Sequence, residues 1–98
     1  MHHHNYASDH SHGNFNSMFE KLMVIAAIVG PLASLPQGID IYVTQNSSGV
    51  SLLTWILFLV ISFLWFVYGL IHKEKLIILT YILYIIFDFF IIVGILMY

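Results

Sequence analysis

The sequence predicts an all-α membrane protein whose single domain is a bundle of three transmembrane helices. Three long apolar stretches, two short polar connections and a scarcity of charge support this prediction. Of the 98 residues, 60% are hydrophobic and 8% are charged, whereas soluble domains carry about 25% charged residues. The apolar stretches are continuous rather than alternating, and a β-barrel needs many more strands than this chain could supply. The composition therefore excludes an ordinary soluble domain.

The first 17 residues form a polar segment rich in His, Asn and Ser. We expect residues 1–17 to be a disordered tail, because such a segment has too little apolar surface to bury. Its histidines could bind a metal ion, but a purification tag or a disordered end is the simpler interpretation. The transmembrane domain is then residues 18–98.

Three segments are long enough to cross a hydrocarbon core of about 30 Å, which needs roughly 20 apolar residues. We predict helices over residues 19–43, 51–71 and 75–98. The first connection is polar and contains turn residues, and the second is only long enough to join antiparallel helices. The first helix follows a tail without a cluster of positive charge, so we do not expect a cleaved signal peptide.

Several classes of function lack the residues that they need. The chain has no cysteine, which excludes disulfides and cysteine-based metal sites, and no basic run suggests nucleic acid. Ser34 and Ser62 have no histidine or lysine at a plausible spacing for a nucleophile–base pair. We therefore expect no enzymatic activity, cofactor, metal site or nucleic-acid partner.

Two prolines interrupt the first predicted helix. Pro31 and Pro36 each remove a backbone donor and clash with a preceding carbonyl, so we expect a kink with free carbonyls near Ala27 and Leu32. The kink could serve packing alone. Alternatively, Pro31, Pro36 and Gln37 form a hinge that lets one end of the helix swing.

One face of the second predicted helix mixes small, hydroxyl and aromatic side chains at steps of three and four residues. Its members are Ser51, Trp55, Phe58, Ser62, Trp65, Gly69 and His72. Trp65 lies deeper in the helix, where its aromatic face and indole N–H could contact a solute, or where it could belong to an interfacial belt. Trp55 lies near the start of the helix, where we expect an interfacial tryptophan.

The third predicted helix carries a carboxylate near the middle of the bilayer. Tyr81, Tyr84 and Asp88 share one helix face, and an ionisable residue in a span is by default a functional hypothesis. Asp88 could act on a substrate or a proton. It could instead make a structural bond, either to a tyrosine hydroxyl or across a dimer. Asp40, near the end of the first helix, is expected to be solvated.

Three motifs occur at a characteristic spacing: Pro36-Gln37, the pattern T-x-x-S-x-G-V-S at residues 44–51, and L-W-F-V-Y-G at residues 64–69. Over roughly residues 25–95 the chain resembles the PQ-loop superfamily, and most closely the SemiSWEETs, the bacterial half-size relatives of the SWEET sugar transporters. The resemblance implies a parallel homodimer of 3+3 helices in the bacterial inner membrane. It also implies passive transport of small sugars by alternating access, with Pro36 as the hinge and Trp65 in the sugar pocket.

The third helix departs from this family. SemiSWEETs pair the second-helix tryptophan with an asparagine, and counting from the W-F-V-Y-G motif places Tyr81 at that position, with Thr80 beside it. A tyrosine can still donate and accept a hydrogen bond, but its bulk would shrink the pocket. The predicted substrate contacts are Trp65, Tyr81, Thr80, Tyr84, Ser62 and Phe58.

Two alternative functions remain open at this point. The first is a proton-coupled carrier of an amino acid or another small solute, with Asp88 as the coupling group. The second is a non-transporting membrane subunit, which predicts a packed interior without a cavity. Three helices enclose no path by themselves, so a transporter requires a second copy, most often related by a two-fold axis.

The orientation in the membrane receives two opposite predictions. Lys21, Lys73 and Lys75 lie on the same side as the N-terminus, which the positive-inside rule places in the cytoplasm. The SemiSWEET resemblance implies an N-terminus outside the cell, and we follow the family orientation.

Overall fold

The computed structural model describes residues 6–98, with side chains described from Phe15 onward. Over this range the chain is helical apart from its turns, and its helices are α1 (Tyr6–Leu32), α2 (Leu35–Thr44), α3 (Leu52–His72) and α4 (Lys75–Met97). Three spans are long and apolar enough to cross a membrane: Phe15–Thr44, which combines parts of α1 and α2, then Leu52–His72 and Lys75–Met97. The described part of the chain therefore has the all-α fold of three membrane-length spans that the sequence predicted.

The N-terminal segment differs from its prediction. Helix α1 already begins at Tyr6, so residues 6–17, expected to be disordered, are helical. Residues 1–5 and the side chains of His10 and His12 lie outside the described residues. The suggestion that the tail histidines bind a metal ion or form a tag therefore concerns side chains that the structure does not describe. The other predicted span ends differ from the observed ones by at most one residue.

Helix α4 is the centre of the bundle, because α1, α2 and α3 all pack against it. Glycines permit the closest approaches. Gly69 of α3 lies against Ile77 and Ile78 at the start of α4, and small residues of this kind let membrane helices approach each other closely. Most large apolar side chains stay exposed in the single chain, so they are available to lipid or to a second copy.

Helix α2 is anchored to α4 by an aromatic contact. The Tyr42 hydroxyl donates a hydrogen bond to the Phe90 carbonyl oxygen at 2.8 Å, and the two rings stack with centroids 4.5 Å apart. Ile41 and Ile91, beside this pair, are 1% and 0% exposed. The chain therefore buries its best-packed apolar cluster between α2 and α4.

The first span is interrupted between α1 and α2, as its prolines predicted. Helix α1 continues through Pro31 and ends at Leu32, and the Ser34 N–H donates to the Pro31 carbonyl at 3.1 Å in the turn that follows. Pro36 falls in the first turn of α2, where the missing N–H has no partner within the helix. The proline is thus accommodated by starting a new helix.

The connections on either side of α3 contain local hydrogen bonds. Ser51 caps α3 by accepting the Thr54 N–H at 3.2 Å, which fits the preference for serine at this position. At the α3–α4 turn, Lys73 has a left-handed conformation with φ 54°, and the Glu74 N–H donates to the Gly69 carbonyl at 2.9 Å. This short turn fixes α3 and α4 as an antiparallel hairpin.

Candidate functional site

Two grooves run along α4, between the first span and α3. The first, called here the Asp88 groove, has a volume of about 330 Å³. It is lined by Ser34, Trp55, Phe58, Ile61, Ser62, Tyr81, Tyr84 and Asp88. These residues come from three places: the break in the first span, the face of α3 that mixes small, hydroxyl and aromatic side chains, and the face of α4 that carries Asp88. The groove is an open, mainly apolar space whose lining includes one carboxylate and several hydroxyl groups.

Asp88 lies at the inner wall of this groove. It is 2% exposed, and Ser62, itself 4% exposed, donates its hydroxyl to Asp88 Oδ2 at 3.1 Å. Asp88 follows the first residue of α4 by 13 positions, about 20 Å along a helix that rises 1.5 Å per residue. The carboxylate is therefore far from both ends of the span. Its hydrogen bond comes from a serine hydroxyl rather than from the tyrosine hydroxyl that the sequence suggested.

Among the side chains described from Phe15 onward, none in the lining around Asp88 carries a positive charge. The three cations of the chain are Lys21, Lys73 and Lys75, and the last two flank the α3–α4 turn, about 20 Å away along α4. The groove lining contains no histidine, lysine or arginine. Its electrostatic character is therefore set by one carboxylate, several hydroxyls and aromatic rings.

Ser34 reaches the Asp88 groove because the first span is broken there. Its hydroxyl donates to the Pro31 carbonyl oxygen at 2.7 Å, which satisfies an acceptor at the end of α1. We did not predict Ser34 as a site residue. The two flanking prolines were the available signal, since irregular backbone at membrane depth occurs where it is buried in protein or lines a cavity.

The second groove, called here the Trp65 groove, has a volume of about 280 Å³. It is lined by Met23, Ala26, Ala27, Trp65, Leu76, Ile77, Thr80, Tyr81 and Tyr84. Alanines of α1 form one wall, and the first half of α4 forms the base. This groove lies toward the α3–α4 turn, whereas the Asp88 groove lies toward the middle of the bundle.

Aromatic rings connect the two grooves. Trp65 and Tyr81 are nearly parallel, with an interplanar angle of 13° and centroids 5.8 Å apart, and Tyr81 is 5.4 Å from Tyr84. Both tyrosines line both grooves. They therefore form a partition between the two spaces, which we call the tyrosine partition.

Gly30 of α1 sets the position of this partition. A Cβ added at Gly30 would lie 2.8 Å from the Tyr84 hydroxyl oxygen, so the absence of a side chain there makes room for the phenol. The glycine thus links the conformation of α1 to the boundary between the grooves.

The remaining predicted substrate residues lie in one groove or the other. Phe58 and Ser62 line the Asp88 groove, and Thr80 lines the Trp65 groove while its hydroxyl donates to the Leu76 carbonyl at 2.7 Å. Trp55, which we expected at the membrane interface, is half-buried and lines the Asp88 groove. The structure thus distributes the predicted contacts over two adjoining spaces.

The predicted hinge residues lie outside both groove linings. Pro36 and Gln37 are exposed at the start of α2, and Pro31 is buried near the end of α1. Asp40 is exposed, as expected for a residue near the end of the first span. Any role of these three residues in transport would therefore be mechanical and would act through the break between α1 and α2. None of them lines a groove where a solute could contact it.

A comparison with curated proteins finds a similar protein from Vibrio sp. (strain N418), named "Sugar transporter SemiSWEET", at 40% identity over 57 residues. This match confirms the resemblance to SemiSWEETs. The aligned residues make up 56% of this chain and 59% of the SemiSWEET relative. Because it has three spans of membrane length, the chain is an integral membrane protein. The relative is named as a transporter, which agrees with the expectation that this chain is not an enzyme.

Two other comparisons give no match. No protein-family model matches the chain, and no solved structure matches it. The likeness to the Vibrio SemiSWEET covers less than two thirds of that protein's length.

Proposed function

We propose that two copies of this chain form a parallel homodimer that moves small sugars across a bacterial inner membrane by alternating access. The observation that carries the proposal is the pair of grooves that meet at the tyrosine partition. Together with a relative named as a sugar transporter, this arrangement supports a solute path with a mid-membrane boundary between two spaces. Mono- and disaccharides are the expected solutes.

The single chain gives physical support for a second copy. Phe58 and Trp65, one in each groove, are 46% and 43% exposed, and a groove with a carboxylate in its wall is costly to hold open toward lipid. A second copy related by a two-fold axis would cover both grooves and complete their walls. The mass of the purified protein in detergent, measured by light scattering, tests this step, since a monomer would contradict it.

Alternating access requires that one part of the bundle move against the rest. The break at residues 33–34 separates α1 from α2, and α1 carries walls of the Trp65 groove while α2 is anchored on α4. Swinging of α1 about this break would widen or narrow the Trp65 groove. In this proposal Pro36, with Gln37 and Pro31, keeps the break flexible by preventing a continuous helix.

Uptake into proteoliposomes tests the transport function directly. We expect labelled glucose or sucrose to enter liposomes that contain the protein faster than empty liposomes, with no imposed gradient. Lack of entry for every sugar, in protein that is folded and inserted, would overturn the proposal. Labelled amino acids in parallel assays test the selectivity.

A second candidate function is proton-coupled transport of an amino acid or another small solute. The observation in its favour is the buried Asp88, whose described partner is the Ser62 hydroxyl and not a cation. Coupling predicts uptake that is accelerated by an inward pH gradient and that loses this dependence in Asp88→Asn. Sugar uptake that ignores the gradient in both proteins would exclude this candidate.

A further inference from the structure

We propose that the Asp88 groove recognises the protonated amine of a small polyhydroxylated solute, of which an amino sugar is the simplest example. The inference rests on the proposed transport function and specifies the class of substrate. It assigns the ammonium group to Asp88 and the aromatic rings around it, and the hydroxyl groups of the solute to the polar side chains of the same groove.

The carboxylate supplies the first part of the recognition. Asp88 is buried, accepts one described hydrogen bond, from Ser62, and contributes to the groove wall. A buried carboxylate is costly unless an opposite charge or sufficient hydrogen bonds compensate it, and the nearest lysines of α4 and its turn are about 20 Å away. An ammonium group of the solute would supply the missing positive charge.

The aromatic rings supply the second part. Trp55, Phe58, Tyr81 and Tyr84 line the same groove as Asp88, and Trp55 and Phe58 meet edge to face with centroids 5.2 Å apart. The faces of aromatic rings attract cations, and rings arranged around a cavity are a recurring way to bind ammonium groups. One carboxylate among four rings therefore favours a cationic solute over a neutral one.

The size and the remaining polarity of the groove fit a monosaccharide. Its volume of about 330 Å³ lies near the lower end of the range of roughly 300–1,000 Å³ for small-molecule sites. The two tyrosines contribute hydroxyl groups that can donate to and accept from sugar hydroxyls, and the Ser34 hydroxyl, which donates to the Pro31 carbonyl, can still accept. A simple alkyl amine would offer no hydroxyl groups to these side chains.

Replacing a sugar hydroxyl by an ammonium group is the chemical change that tests the proposal. It places a positive charge opposite the Asp88 carboxylate, so that a hydrogen bond from a neutral hydroxyl becomes a hydrogen-bonded ion pair. We expect glucosamine to bind at least about tenfold more tightly than glucose. N-acetylglucosamine, whose nitrogen is uncharged, should bind no more tightly than glucose.

Tryptophan fluorescence provides the readout, because the two tryptophans of the chain line the two grooves, Trp55 the one with Asp88 and Trp65 the other. The full-length protein in detergent is titrated with glucosamine hydrochloride, glucose or N-acetylglucosamine at constant ionic strength and at a pH of about 7, where most of the amine is protonated. Equal affinities for glucosamine and glucose in the wild-type protein would overturn the proposal.

Two variants locate the preference within the molecule. Asp88→Asn should abolish the preference for glucosamine while glucose still binds, and Asp40→Asn, which removes the same charge from an exposed residue, should leave the preference unchanged. A preference that survives in a folded Asp88→Asn protein overturns the proposal. If Asp88→Asn does not fold, judged by circular dichroism and gel filtration, the wild-type comparison of the three sugars decides alone.

Uptake measurements separate this inference from the proposed function. Glucose transport without any preference for glucosamine would overturn the amine inference and leave sugar transport standing. Tighter binding of glucosamine without transport of any sugar would support the binding site and overturn the transport function.

Discussion

The two halves of the first span pack on α4 in different ways. Helix α2 contacts α4 through a rigid set of groups: a Cβ on Gly38 would lie 2.7 Å from the Phe90 ring, and one on Gly94 would lie 2.9 Å from the Tyr42 ring. Helix α1 instead meets α4 at Gly30, where the nearest atom is the terminal hydroxyl of Tyr84. The α2 contact thus involves flat rings held on several sides, whereas the α1 contact involves the end of one side chain.

This difference indicates which part of the bundle is fixed and which can move. Tyr42 adds a hydrogen bond and ring stacking on the α2 side, while the α1 side faces the grooves over much of its contact with α4. Regions with few buried apolar contacts open at lower free energy than well-packed ones. We therefore expect α2, α3 and α4 to behave as one unit and α1 to move relative to it.

The largest expected effect is a loss of stability in Gly38→Ala. The added methyl would overlap the Phe90 ring, and overpacking costs about 1–3 kcal/mol, against a gain of about 1 kcal/mol from replacing a helical glycine by alanine. We expect a lower melting temperature in detergent, measured by circular dichroism, and a lower yield of folded protein.

Gly30→Ala is the matched control for this prediction. It makes the same chemical change in the same span, but the Tyr84 hydroxyl can shift by rotation of the phenol side chain. We expect a melting temperature close to that of the wild type and slower sugar uptake, because the tyrosine partition is displaced. If Gly30→Ala were as destabilising as Gly38→Ala, the proposed difference between α1 and α2 would be wrong.

The next effect in size concerns the Trp65 groove, at the α1 end. Trp65→Ala removes the ring that stacks on Tyr81 and that we expect to contact the sugar, and aromatic pairs contribute about 0.5–1.5 kcal/mol beyond their buried area. We expect initial uptake of labelled glucose to fall by up to about tenfold. The melting temperature should fall less than in Gly38→Ala, since Trp65 is 43% exposed in the single chain and its removal creates no overlap.

Trp65→Phe serves as its control. It keeps an aromatic face for stacking but removes the indole N–H, so uptake should lie between the rates of the wild type and of Trp65→Ala. Wild-type uptake by Trp65→Ala would exclude this residue from the solute path.

Some of these contacts could be predicted from the sequence and others could not, for physical reasons. The three spans follow from length and apolar character alone, and Trp65 and Tyr81 were paired because the likeness to SemiSWEETs fixes their spacing. The bond between Ser62 and Asp88 depends on which face of α3 turns toward α4, which periodicity restricts but does not determine. Trp55 shows the same limit, since its position near a span end favoured the interface although its helix face turns into the groove.

The glycine contacts and the break in the first span show a second limit of prediction from sequence. The prolines predicted an interruption of the first span, but not that Ser34 would enter a groove there. Gly30, Gly38 and Gly94 are equivalent as residues in the sequence, and only the three-dimensional arrangement shows that the first meets a terminal hydroxyl and the other two meet rings. Close contacts of this kind depend on helix rotation by fractions of a turn.

A smaller effect on stability, but a clear one on transport, is expected from Pro36→Ala. With an N–H at this position, residue 36 could bond to the carbonyl four residues earlier and extend α1 into α2. We expect uptake to slow because α1 loses its freedom to swing, with a melting temperature at or slightly above the wild-type value. Faster or unchanged uptake would contradict a hinge at the break.

The smallest expected effect is that of Tyr42→Phe, which removes one hydrogen bond from the rigid side of the comparison. The ring stacking on Phe90 remains, and a hydrogen bond between membrane helices contributes about 0.6 kcal/mol on average. We expect a small decrease in melting temperature and unchanged glucose uptake, because α2 stays in contact with α4 through Gly38 and Ile41. Tyr68→Phe, which removes a hydroxyl from an exposed tyrosine of α3, should leave the melting temperature unchanged. A large loss of uptake in Tyr42→Phe would instead mean that α2 moves on α4 during transport, and the fixed unit would then consist of α3 and α4 alone.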